Sequence, residues 1–428
     1  MRRRRRSALA RTRRGRRVPQ NTLEPTAPSR TSPLRLTLAS PLYRGATLAL
    51  FLSGFGFSAA APLIASFLVL ELNASLPVAG LFYLTNLTAP VAGYLVGARS
   101  DRTGGRLGLF RWCALAGFVG WAGISFSTQI WMPFVISAVV LAFAGAATSQ
   151  VFAAIHDEIG RRPDAGNDGV IAIVRMALTG GWVVGPVCGA FLAAQSGLRV
   201  MLFATALLTL AQILPLGLQR APLIPHEHRT QHVRPSVRAM LPLLAFTLLY
   251  VFVYAGESVK YAYLPLYMSQ ELRLDAGLSG AVIGIQPLVE LLLMPLAIVV
   301  GARIGMVRLM ALAAGFGVAA NLCFALTGTA VGLFAGQILM GGVWGVFAAL
   351  GIIVAQRLLP TAVATASAIF LSATALSSAL GGVTGGLGVA VIGLPLVFLI
   401  PAGFAVLAVI GLAIMARRTE APTRSSAG

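Results

Sequence analysis

From residue 43 onward the chain alternates long apolar runs with short polar breaks. The runs fall at about 43–70, 77–98, 107–127, 131–154, 170–194 and 199–219. A second set follows at about 239–268, 277–301, 307–328, 331–356, 362–390 and 394–416. Each reaches roughly the 20 residues that a helix needs to cross a bilayer. The one long polar connection, Arg220 to Arg238, separates six runs from six and holds His226, His228 and His232. The pattern predicts an all-α membrane protein of twelve transmembrane helices in two six-helix bundles. The first bundle covers 42–219 and the second 239–417, with a linker at 220–238. Residues 1–41 are read as a disordered basic tail and 418–428 as a second tail.

Composition narrows the class. Of 428 residues, 57% are hydrophobic and 11% charged, against about a quarter charged in soluble chains. A net charge of +20 suits nucleic acid, but no arginine cluster lies on a soluble domain, so no nucleic-acid partner is read. The arginines of the N-terminal tail, from Arg2 to Arg17, suit anionic lipid at a membrane surface instead. Cys113, Cys188 and Cys323 stand far apart within apolar runs, and no metal cluster is legible. No phosphate-cradling loop, cofactor motif or Ser/His/Asp set stands out. The chain reads as a secondary transporter driven by an ion gradient, not as an enzyme.

The basic residues give orientation. Of the 33 Lys and Arg, this layout puts 29 on one side and only Arg199 and Arg273 on the other, with Arg175 and Lys260 inside spans. Positive charge marks the cytoplasmic side. Both termini are therefore expected in the cytoplasm of a multi-pass protein of the cell membrane.

The connection after the second span reads Gly97-Ala98-Arg99-Ser100-Asp101-Arg102-Thr103-Gly104-Gly105-Arg106. It resembles the signature loop of the major facilitator superfamily, which latches one transport state by binding a helix end in the other half. Gly97 and Gly104 are expected to permit close approach to a neighbouring helix. Asp101 is expected at a helix start, with Arg102 and Arg106 beside it. The counterpart Gly301-Ala302-Arg303 through Arg308 lacks the acid. A weak internal repeat, Glu71-Leu72 before Gly80 against Glu271-Leu272 before Gly280, fits the superfamily's two related halves. In the fifth span, Gly181 to Gly189 resembles a motif of superfamily exporters, with Gly185, Pro186 and Gly189 as a pivot.

Polar groups inside a membrane are costly, and so are functional candidates. Tyr83, Asn86, Gln150, Arg175, Tyr254, Lys260, Gln286 and Trp344 are read as substrate-binding. Glu257 and Lys260, three apart, occupy adjacent helix positions and can neutralise each other. Glu290 has no base within a turn, and burial penalises its charged form. It is the first candidate for carrying a coupled proton, and Glu257 the second.

Further pieces resemble the sugar efflux transporter branch of that superfamily. They are Gly80-Leu81-Phe82-Tyr83 with Asn86, Ser149-Gln150-Val151-Phe152, and Arg175 seven residues before Trp182. Leu264-Pro265-Leu266-Tyr267, Glu290 and Gln356-Arg357-Leu358-Leu359-Pro360 complete the set. The resemblance implies the major facilitator fold and export of sugars or glycosides in exchange for protons, and the chain is taken to act as a monomer in the bilayer. Two departures stand out: the Glu257–Lys260 pair, where the family carries neutral polar residues, and the arginine tail. The rival readings are a multidrug or other small-molecule exporter of the same superfamily and a non-transporting membrane receptor.

Overall fold

Serine, aspartate and threonine open several of the helices that form on the apolar runs. Ser40, Ser236, Asp275 and Thr329 each accept a hydrogen bond from a backbone N–H three residues on, satisfying groups that a helix start leaves bare. The computed structural model describes residues 32–161, 167–217, 219 and 236–420. Eleven helices among these residues are long and apolar enough to cross a membrane. They are spans 1 (Pro41–Leu70), 2 (Leu76–Thr103), 3 (Arg106–Ser125), 4 (Trp131–Gly160) and 5 (Gly169–Ser196). After the linker come spans 7 (Val237–Glu271), 8 (Ala276–Ile304), 9 (Met306–Leu326), 10 (Ala330–Leu358), 11 (Thr365–Ile392) and 12 (Leu396–Arg417). Span 6 is shorter as a regular helix, Leu198–Ala211, and tight turns carry it on to Gly217. The fold is all-α among the described residues, and the twelve segments stand where the apolar runs do.

Several boundaries differ from the sequence reading, span 4 among them, which runs six residues past its expected end to Gly160. The N-terminal tail was expected to run to residue 41, but Pro33–Ala39 forms a short helix. Thr37 is buried there, and Pro33 lies against Gly169 of span 5. Span 2 also runs five residues past its expected end, to Thr103. The arginines at 2–17, the histidines at 226, 228 and 232, and residues 421–428 lie outside the described residues.

Glycines set how closely the spans pack. In the first half, a Cβ on Gly189 would stand 2.6 Å from the Ala59 carbonyl oxygen, and one on Gly181 2.5 Å from that of Phe51. Spans 1 and 5 thus lie backbone to backbone, the small-residue packing that membrane helices use where no hydrophobic force pulls them together. Spans 8 and 10 in the second half meet likewise at Gly341 and Gly345.

The halves join through spans 2 and 11 and through spans 5 and 8. Gly382 lies against the Gly80 carbonyl oxygen, 2.7 Å from a built Cβ, and Gly386 against that of Pro77, 2.8 Å. Gly280 meets the Val187 Cα at 2.7 Å and Gly284 the Val183 carbonyl oxygen at 2.9 Å. Tyr263 donates to the Leu76 carbonyl at 3.2 Å. All these contacts fall away from the end that bears Arg99, Arg102, Arg106, Arg303, Arg308 and Arg357. Among the described residues, Pro41–Ala60 of span 1 and Ala146–Arg161 of span 4 pack mainly against helices of their own half. The contacts between the halves thus gather at one end, the sealed end, away from the arginine-rich end.

Candidate functional site

Span 7 supplies the centre of the polar interior. Glu257 and Lys260, 5% and 1% exposed, point the same way because they lie three residues apart. Lys260 Nζ donates to Glu257 Oε2 at 2.7 Å and to Oε1 at 2.9 Å. It also donates to Gln286 Oε1 of span 8 and stands 4.7 Å from the centre of the Tyr261 ring, a cation–π contact. Gln286 returns a bond from Nε2 to Glu257 Oε1 at 3.3 Å.

Trp344 of span 10 completes the cluster by donating from Nε1 to Glu257 Oε1 at 2.6 Å. Its place follows from the flanking glycines. Gly341 and Gly345, on either side of it, would put a Cβ 2.8 Å from the Gln286 carbonyl oxygen and 3.4 Å from that of Glu290. Without side chains there, span 10 presses onto span 8 and the indole reaches span 7. Tyr254, one turn before Glu257, meets the indole edge to face, with centroids 4.5 Å apart and planes at 85°. Tyr250 stacks on Tyr254 at 5.6 Å. Five of the sequence candidates, Glu257, Lys260, Gln286, Trp344 and Tyr254, therefore form one neutralised group of donors, acceptors and ring faces.

Tyr83 and Asn86 bring the first half to this region. Both lie on a tight turn within span 2, Phe82–Thr88, just before Pro90. Proline lacks an N–H and crowds the preceding turn, and Ala89 N–H bonds back only three residues, to the Asn86 carbonyl. Asn86 donates to Ser378 Oγ of span 11 at 2.7 Å, and Ser378 reaches the Tyr83 carbonyl at 3.4 Å and Ser258 of span 7 at 3.3 Å. The buried Tyr83 hydroxyl has no hydrogen-bond partner among the described residues. The tightened turn is braced by a Thr85–Ser137 hydroxyl bond of 2.8 Å. Ser137 opens a widened turn of span 4, Ser137–Leu141, so the irregularities of the two helices lock together.

Glu290 is half-buried one turn past Gln286. Among the described residues it makes no salt bridge and no side-chain hydrogen bond, unlike Glu257. It lies in the field of Glu257, Lys260 and the exposed Arg175 of span 5. Glu290 and Arg175 thus stand on helices 8 and 5, one of the pairs that join the halves.

Gln150 is placed elsewhere. It is buried and accepts from Ser100 Oγ at 2.5 Å, within the network of the arginine-rich loop. Arg106 donates from Nη1 to Ser100 Oγ at 2.8 Å and Asp101 Oδ1 at 2.6 Å, and from Nε to Asp157 Oδ2 at 3.1 Å. The structure thereby removes Gln150 from the central group and gives it a loop-bracing position.

The loop corrects two further expectations. Asp101 sits in the last turn of span 2 and not at a helix start; Arg106 is the residue that opens span 3. Gly97 makes no close approach, since a Cβ there meets nothing within 4 Å. Gly104 does need glycine, with φ at +63°. The side chains of Asp101 and Arg102 are exposed. In span 5, Gly185 and Gly189 pack on span 1 at Phe55 and Ala59, while the Pro186 carbonyl and Val187 meet Gly280 of span 8. The small-residue motif thus touches both a neighbour in its own half and the opposite half.

Ser378, Tyr261 and Asp157 were not singled out from sequence. Ser378 hid in the Ala/Gly/Ser background of span 11, and Tyr261 gained significance only from the Lys260 side-chain direction. Asp157 lay at the end of an amphipathic stretch, where an acid reads as solvated.

Comparison with known proteins agrees with this architecture. The family model described as Major Facilitator Superfamily matches residues 46–248 and again 246–428, once for each half. The chain is 27% identical over 333 residues to sugar efflux transporter A of Dickeya chrysanthemi, covering 76% of this chain and 83% of that protein. It is 24% identical over 366 residues to sugar efflux transporter C of Escherichia coli K12, covering 81% and 88%. Among solved structures, nucleoside transporter NupG superposes with a TM-score of 0.71 at 16% identity, covering 88% of this chain and 99% of that one. A D-xylose–proton symporter gives 0.68 at 17%, covering 87% and 96%.

Proposed function

The chain belongs to the major facilitator superfamily, and on that premise we propose that it exports sugars or glycosides in exchange for protons. The observation that carries this reading is the Glu257–Lys260–Gln286–Trp344 group, walled by Tyr254 and faced from the other half by Tyr83 and Asn86. Its charges cancel, so it suits an uncharged solute. Its donors and acceptors match hydroxyls, which need both, and its ring faces match the apolar face of a sugar ring. The sugar efflux relatives named above point the same way.

Transport proceeds by alternating access. The arginine-rich end is cytoplasmic by the positive-inside rule, so the sealed end faces outward and this state receives solute from inside. Closing the arginine-rich end brings its loop against the second half, where Asp101 and Arg106 act as the latch, while Gly280, Gly382 and Gly386 release the outer seam. Glu290 carries the proton: it has no fixed partner and lies on a helix whose neighbour changes between states. Glu257, held by three donors, serves binding.

Uptake into inverted vesicles or proteoliposomes tests the reading. Labelled methyl glucoside is expected to accumulate against its gradient when a proton gradient is imposed, and to stop when an uncoupler collapses it. Saturable glucoside exchange indifferent to the proton gradient would refute coupling, and the absence of any saturable exchange would refute the sugar.

A further inference from the structure

Gln337 of span 10 is 0% exposed, and neither its amide oxygen nor its amide nitrogen has a hydrogen-bond partner among the described residues. Buried side-chain polar atoms are normally paired, because a bare one loses its water and gains nothing in return. The buried Ser279 hydroxyl of span 8 is bare in the same way. An apolar residue at either position would pack without that penalty.

Chain position ties both groups to the central cluster. Gln337 precedes Trp344 by seven residues, and Ser279 precedes Gln286 by the same seven. Seven residues are two helical turns, so each pair shares a face. Spans 8 and 10 run parallel and are held together where Gly341 meets Gln286 and Gly345 meets Glu290. Gln337 and Ser279 therefore stand about 10 Å beyond the cluster, at 1.5 Å of rise per residue, both toward the sealed end. Neither group titrates at physiological pH, so the pair is no proton relay. An amide supplies two donors and an acceptor, and a hydroxyl supplies one of each. Together they match the hydroxyls of a neutral polyol.

We infer that Gln337 and Ser279 form a second sugar subsite, shut in this state, which receives the solute's hydroxyls as it leaves the cluster through the opening outer end. The inference rests on the sugar reading above. It also gives the bare groups a part in the cycle. Hydroxyls that arrive as the outer end opens supply the partners these groups lack among the described residues.

The test measures half-saturation for labelled methyl glucoside in exchange without a gradient, separately from each face of oriented vesicles. Gln337→Leu is expected to raise half-saturation from the sealed-end face about tenfold while leaving the arginine-rich face within about twofold. Ser279→Ala, which removes one atom, is expected to act in the same direction and keeps the test open if the first variant does not accumulate. The thermal midpoint should not fall in either, since no bond is lost in this state. Equal changes on both faces, or none on either, overturn the subsite while glucoside exchange by the parent stands. A parent that exchanges no glucoside overturns the sugar reading and this subsite with it.

Discussion

Lys260 Nζ lies 2.7 Å from Glu257 Oε2, and both side chains are almost wholly withdrawn from solvent. A buried pair of this kind gives little net stability, because desolvating two charges offsets their attraction. Its half-removal is another matter. Lys260→Met strands the Glu257 carboxylate among Trp344 and Gln286, and should cost about 3–5 kcal/mol. Adding Glu257→Gln should restore most of the thermal midpoint, as the double variant leaves no charge unpaired. Midpoints of the single and double variants in detergent check this; a double variant no more stable than Lys260→Met contradicts it.

Gly280 has no room for a methyl group, with the Val187 Cα 2.7 Å from a built Cβ. Gly280→Ala should therefore penalise the sealed state by about 1–3 kcal/mol. A shift of that size moves the equilibrium roughly 5- to 150-fold toward opening at the sealed end. Thiol labelling of a cysteine placed in the outer half of span 5 should rise accordingly. Gly93→Ala serves as the control, because nothing lies within 4 Å of a Cβ there. Equal labelling of the two variants would contradict the seam.

Asp101 is exposed, and its carboxylate meets Arg106 at 2.6 Å, well away from the central cluster. Asp101→Asn should slow turnover several-fold yet leave solute affinity nearly unchanged, since the loop biases conformations and does not touch solute. Separate binding and transport assays on the purified variant decide the matter. Lost affinity with normal turnover would assign Asp101 a different role.

Glu290→Gln imitates a permanently protonated acid. The variant should bind glucoside and exchange it between compartments, yet fail to accumulate it uphill, and its binding should lose pH dependence. Uphill accumulation at the parental rate would move the proton to Glu257.

Much of the architecture was legible along the chain, because crossing a bilayer imposes a length and an apolar composition that twelve runs display locally. The arginine asymmetry was equally plain, as was the pairing of Glu257 with Lys260, since a three-residue spacing on a helix fixes the neighbour. The candidate polar residues could be named for the same reason: each interrupts an apolar run. What they touch could not. Gln150 and Gln286 look alike in sequence, yet Gln150 binds Ser100 beside Arg106 and Gln286 binds Lys260. The difference arises from which helix faces which, and backbone approach at glycines such as Gly341, Gly345 and Gly382 sets that. Such an approach depends on the partner surface, which lies tens or hundreds of residues away in the chain. Likewise, the bond from Asn86 to Ser378, 292 positions apart, and the choice of sealed end exist only once the halves have met. Helical period and apolar length are local properties that one sequence determines; the register between helices, and the state in which the two halves rest, belong to tertiary packing alone.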